Sequence, residues 1–482
     1  MTEAPRRKAG FLTKLAYGFG AAGDGIKNNG FEYFLLLYYG QVLGVDFALV
    51  GAALLTAMIV DGFTDPIVGY WSDNLRTKFG RRHPFMYAAI MPVGIAYYFV
   101  WNPPSGLEGN ALFPYLLAIT IAVRVSFTFY DVPSSALVAE LTDDYDERTS
   151  FLTFRYVFGW MGGLFIAVYA LRFLLVPTDE YGSGFFNIDG YQSYGLISAI
   201  MICFSVFVCA AGTHSHIPHL RQPPPARKMT IGLVFKEIGE TLSNRSFLWL
   251  FVATLFGFMA SGVAATLNYF INGFFWEFTT SQTSLLTLSV FVSALLALVL
   301  APIVSRTLGK KRGALTIGIL AFSIAPAPVL FRLAGLMPAN GTELLFNIIL
   351  FITMIDVALI ICFQILSSSM IADIVEDSEL KTGRRSEGIF FAGILFMRKL
   401  ARGSGLFLAS LILAGANLSR DMQPGELTSE TLTVLGAGYA FGLLALWTTM
   451  IILLSRYKIS REDHEANLAA LDRGRRAADM VE

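Results

Sequence analysis

The sequence predicts an all-α polytopic membrane protein with twelve transmembrane helices in two pseudo-symmetric six-helix bundles. Three observations carry that prediction. The first is composition: of 482 residues 55% are hydrophobic and 15% charged, with mean hydropathy +0.58, where a soluble domain carries about 25% charge. The second is length. Taking about 20 apolar residues per crossing, twelve spans fall at 12–40, 46–71, 84–103, 111–140, 151–176, 190–212, 246–273, 282–305, 313–334, 344–370, 387–415 and 430–455. Several exceed a straight crossing, so tilt or kinking is expected. The third is an internal echo. Asp65-Pro66-Ile67-Val68 before a basic loop recurs as Ala301-Pro302-Ile303-Val304, and Ala139-Glu140-Leu141-Thr142-Asp143-Asp144 recurs as Ala372-Asp373-Ile374-Val375-Glu376-Asp377. Two matches at nearly one offset indicate a duplicated unit, whose site would lie between the repeats near the midplane.

The expected organisation is a bundle over 1–212, a middle loop over 213–245, a second bundle over 246–455 and a tail over 456–482. Basic residues support the orientation. Arg76, Lys78, Arg81, Arg82, Lys310, Lys311 and Arg312 lie on one side, whereas the opposite loops hold Arg172, Arg332 and Arg420. An excess of Lys and Arg marks the cytoplasmic side, so both termini are expected in the cytoplasm of a cell (inner) membrane. The basic start, MTEAPRRKAGFLTK, lacks a small-residue cleavage site, so the first apolar stretch is expected to stay as span 1. Zero net charge argues for no nucleic-acid partner. Cys203, Cys209 and Cys362 lie in apolar runs without metal-ligand spacing. His214, His216 and His219 in the middle loop read as solvated rather than as a metal site. No Ser/His/Asp or metal set lies within the spans, so an enzyme is not expected.

The chemistry concentrates in Asp61–Pro84, DGFTDPIVGYWSDNLRTKFGRRHP. Asp61 and Asp65 sit in an apolar span, where a carboxylate is costly and marks a functional site. At i and i+4 they share one helix face. Like charges that close call for a shared cation or proton, and the Thr64 hydroxyl adds a further oxygen. Oxygen ligands suit a hard cation such as Na+, and protonation of one carboxylate would serve H+ equally.

Other intramembrane charges follow. Asp24, Asn28 and Glu32 form a line in span 1 with Lys27 beside it, read either as a packed ion pair or as a cavity wall. In span 4, Thr128 and Asp131 precede Pro133, which can open the backbone ladder. Arg124 is expected either to pair with Asp131 or to reach the outer interface, and Arg155 in span 5 either to line the cavity or to snorkel. Arg398, Lys399 and Arg402 lie in span 11, where at most one of the first two points squarely inward. Asp356 in span 10 is a weaker, structural candidate. AELTDDYDERT and ADIVEDSELKTGRR place acids at helix ends facing basic loops, as gate clasps that bias a two-state equilibrium.

The stretches YGFGAAGD, DGFTDPIVGYWSDNLRTKFGRRHP, YDVPSSALVAEL and ADIVEDSELKTGRRSEG resemble the glycoside–pentoside–hexuronide:cation symporters, the melibiose-permease-like branch of the major facilitator superfamily, over essentially the whole chain. The resemblance implies a carrier that couples Na+ or H+ to uptake of a small polar solute, a glycoside or sugar acid, by alternating access. It implies no cofactor and a monomer in the bilayer. It assigns the cation to Asp61, Asp65, Thr64 and Thr128, and solute contacts to Asp24, Asp131, Arg155, Lys399 and Gln364. Gating falls to Arg81, Arg82, Glu140, Asp144, Asp373 and Asp377. Family aromatics are replaced here by Ser135, Phe127 and Gln364, and polar positions by Ile394 and Leu395. Sugar recognition needs a stacking aromatic and converging hydrogen bonds, so these changes weigh against a galactoside. The wider family includes sucrose and lysophospholipid carriers, and the resemblance therefore implies a lysolipid or other amphiphile as the alternative cargo.

Overall fold

The computed structural model describes residues 10–142, 145–219, 245–382, 387–418 and 422–456. These form α1 Phe11–Phe19, α2 Ala21–Asn29, α3 Phe47–Asn74, α4 His83–Trp101, α5 Phe113–Leu141, α6 Tyr145–Tyr169 and α7 Ile188–His214. There follow α8 Arg245–Phe270, α9 Thr280–Leu308, α10 Lys310–Ile324, α11 Ala327–Leu333, α12 Glu343–Thr382, α13 Glu387–Gly415 and α14 Ser429–Ser455. Among the described residues there is no β-strand, and ten helices are long and apolar enough to cross a bilayer. The two remaining predicted spans fall short for identifiable reasons. The first is broken into α1, α2 and two π-helical turns. The eleventh, α13, carries Arg398, Lys399 and Arg402, and some of its side chains lie outside the described residues.

Within the first span, α2 packs closely on α6. A Cβ on Gly25 would stand 1.8 Å from the Gly159 carbonyl oxygen of α6, so the two backbones touch where only glycine fits. Beyond α2 the chain widens into π turns at Gly30–Phe34 and Leu37–Val42. Such turns shift side-chain register and occur often at functional sites. The strict i, i+4, i+8 line from Asp24 to Glu32 is therefore interrupted before its last member.

Two compact units emerge. The first comprises 1–227 with 265–287 and 406–428, the second the rest. In the first unit an aromatic cluster forms at the end remote from the basic loop after α3. There Phe34 packs on Tyr269 and Tyr194, and Tyr38 on Tyr191 and Trp101. Tyr38 and Tyr39 donate to the Trp101 and Val100 carbonyls at 3.1 and 2.7 Å, so these buried hydroxyls are satisfied. Gly51 of α3 lies against Ser410, and Gln41 donates to the Met422 carbonyl. In the second unit Phe322 stacks on Trp447, ring centroids 4.5 Å apart, and Ser293 donates to the Met354 carbonyl at 2.8 Å.

The two prolines of the first sequence echo take similar places. Pro66 and Pro302 both lie inside long helices, of 28 and 29 residues, each followed by a basic segment. Most of the predicted middle loop and nearly all of the tail lie outside the described residues. His214 is an exception to the solvated reading, since it ends α7 with Nδ1 3.0 Å from the Tyr87 hydroxyl.

Candidate functional site

The predicted acid pair is built on α3 and completed by α5. Asp61 is buried and Asp65 half-buried. The hydroxyl of Thr128 lies 2.8 Å from Asp61 Oδ1 and 3.2 Å from Asp65 Oδ1. One side chain on α5 thus bridges two carboxylates a turn apart on α3, as the spacing requires. Thr64 instead bonds backward, to the Asp61 carbonyl at 3.1 Å. Pro66 supplies no N–H to the Gly62 carbonyl one turn back, which loosens the ladder where these acids sit.

The same face of α5 carries Arg124, one turn before Thr128. Its Nη1 is 3.5 Å from Asp61 Oδ2, and the guanidinium lies 5.3 Å from the Phe31 ring centroid. Both sequence expectations for Arg124 are corrected. It neither pairs with Asp131 nor reaches the interface, because it is 4% exposed and turned across to α3.

Asp131 takes Arg155 of α6 instead. Arg155 Nη2 is 2.5 Å from Asp131 Oδ1 and 2.8 Å from Ser135 Oγ, and Nη1 donates to Ser134 Oγ at 3.1 Å. The fork-shaped guanidinium thereby has three partners on one turn of α5, so Arg155 points into the bundle and does not snorkel. Ser134 and Ser135 in this role left no signal in the sequence beyond their place after Pro133.

A third pair lies on α2, where Lys27 Nζ is 2.9 Å from Asp24 Oδ1. The Lys27 ammonium also sits 3.9 Å from the centroid of the Phe127 ring. That ring is thus engaged by a cation–π contact. Glu32 is buried on the first π turn.

At the basic-loop end, Glu140 Oε1 receives Arg81 Nη2 at 2.7 Å and Arg82 Nε at 3.0 Å. Arg82 also bonds Ser72 Oγ at 2.7 Å and pairs with Asp73. The clasp predicted from the acid and base motifs therefore ties the loop after α3 to the end of α5, inside the first unit. Lys14 and Thr142 add a second tie through Glu147, at 3.2 and 2.6 Å. Asp144 lies outside the described residues, as do the side chains of Asp373, Asp377, Ile394 and Leu395.

In the second unit, Lys399 is half-buried on α13. Its neighbour Arg398 is exposed, with its guanidinium 4.4 Å from the Phe258 ring centroid. Adjacent residues thus take different faces, as helical geometry demands. Gln364 is exposed on α12. Asp356 of the same helix has a buried Oδ1 with no hydrogen-bond partner.

A bundle of membrane-length helices carrying ion pairs at buried positions is the architecture of a membrane carrier, since such charges are retained in spans chiefly for transport. The family described as MFS/sugar transport protein matches residues 16–461, and the chain belongs to that family. Among its relatives, the putative glycoside/cation symporter YagG of Escherichia coli is 25% identical, covering 94% of this chain and 93% of its own. The isoprimeverose transporter of Lactiplantibacillus pentosus is 23% identical over 89% and 84%. The mouse sphingosine-1-phosphate transporter MFSD2B is 24% identical over 95% and 92%. A crystal structure of a D-xylose–proton symporter shares the fold at TM-score 0.56 and 15% identity, covering 91% of this chain and 97% of that one.

Proposed function

We propose that this chain is a cation-coupled symporter that brings a small polar solute, a glycoside or sugar acid, across the cell membrane. The observation that carries the reading is the Thr128 hydroxyl shared by Asp61 and Asp65, one turn of α5 from the Asp131–Arg155 pair. In this reading Asp61, Asp65, Thr64 and Thr128 receive Na+ or H+. Asp24, Asp131 and Arg155, with Lys399 and Gln364 from the C-terminal bundle, contact the solute. The geometry supports Thr128 as a ligand more than Thr64, whose hydroxyl is directed at backbone.

The chemistry follows from charge. Ordered ion pairs offer a polyhydroxylated or acidic solute both donors and acceptors that water would otherwise satisfy. A cation entering between Asp61 and Asp65 relieves their repulsion and stabilises the arrangement that accepts solute. By linkage, solute then tightens cation binding by the same factor. Two six-helix halves divided at the middle loop would alternate access, with the Arg81–Arg82–Glu140 clasp, Asp144, Asp373 and Asp377 biasing the inner gate. Both termini are cytoplasmic, the membrane is the inner one and the carrier works as a monomer.

Likeness to MFSD2B supports a second cargo, an amphiphile with a charged head. Uptake into proteoliposomes, driven separately by Na+ and H+ gradients, tests both. Accumulation of a glycoside or hexuronide, lost in Asp65→Asn, supports the first reading. Competition by lysolipids but not glycosides supports the second. Absence of gradient-driven accumulation of any member of the panel removes the symporter assignment.

A further inference from the structure

Arg124 sits where the proposed cation site would be expected to hold only acids and hydroxyls. It lies on the same face of α5 as Thr128, and its Nη1 is 3.5 Å from the Asp61 oxygen that Thr128 does not take. The residue is 4% exposed and Asp61 5%, so water screens neither charge. Arginine is a cation at every working pH. Of the neighbouring basic residues, Lys27 is paired with Asp24 and Arg155 with Asp131.

We propose that Arg124 determines which cation this site accepts: its guanidinium acts as a tethered counter-ion for Asp61 and excludes alkali ions from the Asp61–Asp65–Thr128 pocket. A sodium ion ligated by both carboxylates would lie within a few ångströms of a fixed positive charge, in surroundings too poor in water to screen the repulsion. It would also have to displace the guanidinium from Asp61, leaving a buried arginine uncompensated, which is strongly unfavourable. Replacing Arg124 by a neutral side chain reverses the balance. Asp61 then loses its counter-ion, and the nearest way to neutralise two carboxylates around one hydroxyl is a bound hard cation. The inference rests on reading these residues as the ion site and does not depend on which solute is carried.

The test is equilibrium binding of ²²Na⁺ to the purified full-length protein, which needs no solute and no transport. The wild type is expected to show no saturable binding up to tens of millimolar. Arg124→Gln is expected to gain saturable binding, at least tenfold tighter than any wild-type signal, and Arg124→Gln with Asp65→Asn to lose it again. Arg124→Lys, which keeps a charge, is expected to behave as wild type. Should Arg124→Gln not fold, the wild-type measurement decides alone, since stoichiometric ²²Na⁺ binding with Arg124 in place overturns the proposal. A folded Arg124→Gln that gains no sodium binding overturns it too. Failure of the symporter reading would show separately, as absence of gradient-driven uptake by the wild type.

Discussion

Thr128 Oγ1 stands 2.8 Å from Asp61 Oδ1, a contact between two spans that lie 67 residues apart in the chain. The same hydroxyl reaches Asp65 and accompanies a bond to its own Arg124 carbonyl at 3.1 Å. A hydroxyl has one proton and two lone pairs. The three oxygens around Thr128 therefore share a single donor, an arrangement that an entering cation or proton can rebalance.

Thr128→Val keeps the shape and deletes that donor. Removing a hydrogen bond to a charged group costs about 1.5–3 kcal/mol. We expect folded protein with a modest loss of thermal stability and ion-driven uptake reduced at least tenfold. Uptake and a melting curve on the same preparation check this, and wild-type coupling in the valine variant would remove Thr128 from the ion site.

Arg155 and Asp131 separate a structural role from a solute-binding one. Arg155→Gln should abolish solute uptake, and Asp131→Asn should do the same. If the pair only supports packing, the neutral double variant recovers both expression and uptake. If the charges touch solute, the double variant recovers expression alone.

Glu140 receives two arginines while almost fully buried, so Glu140→Gln should leave Arg81 poorly compensated and Arg82 dependent on Asp73. Breaking such a buried network costs about 3 kcal/mol. Hydrogen exchange of the segment 75–82 should accelerate, with little change at the remote aromatic cluster around Trp101. Unchanged exchange over 75–82 would show that the clasp does not hold this loop.

Gly25→Ala tests the packing of α2 on α6. With the added Cβ placed 1.8 Å from the Gly159 carbonyl oxygen, the helices must separate, at a cost of about 1–3 kcal/mol or more. A lowered melting temperature is expected, whereas Gly10→Ala, where a Cβ meets nothing within 4 Å, should be neutral.

Much of this is legible in the amino-acid sequence. Asp61 and Asp65 at i and i+4 had to share a face, and they do share one threonine. Arg81, Arg82 and Glu140 were marked by their motifs as clasp partners, and they meet. Arg398 and Lys399 could not point the same way, and they do not. Arg124 takes neither Asp131, two turns along its own helix, nor the outer interface but Asp61 on another span, because spacing within one segment carries no distance to a second.

The amino-acid sequence by itself determined ten of the membrane spans and the helix face that Asp61 and Asp65 share. Hydrophobic length and helical period are properties of one segment read alone. Tertiary structure decided the pairing across helices, Arg124 with Asp61 and Arg155 with Asp131, whereas Lys27 and Asp24 form a local i, i+3 pair to which packing adds the Phe127 ring. A buried charge must be neutralised by whichever opposite charge packing brings within a few ångströms. That distance is set by helix contacts such as Gly25 against Gly159 and by the π turns after Asn29, and not by spacing along the chain.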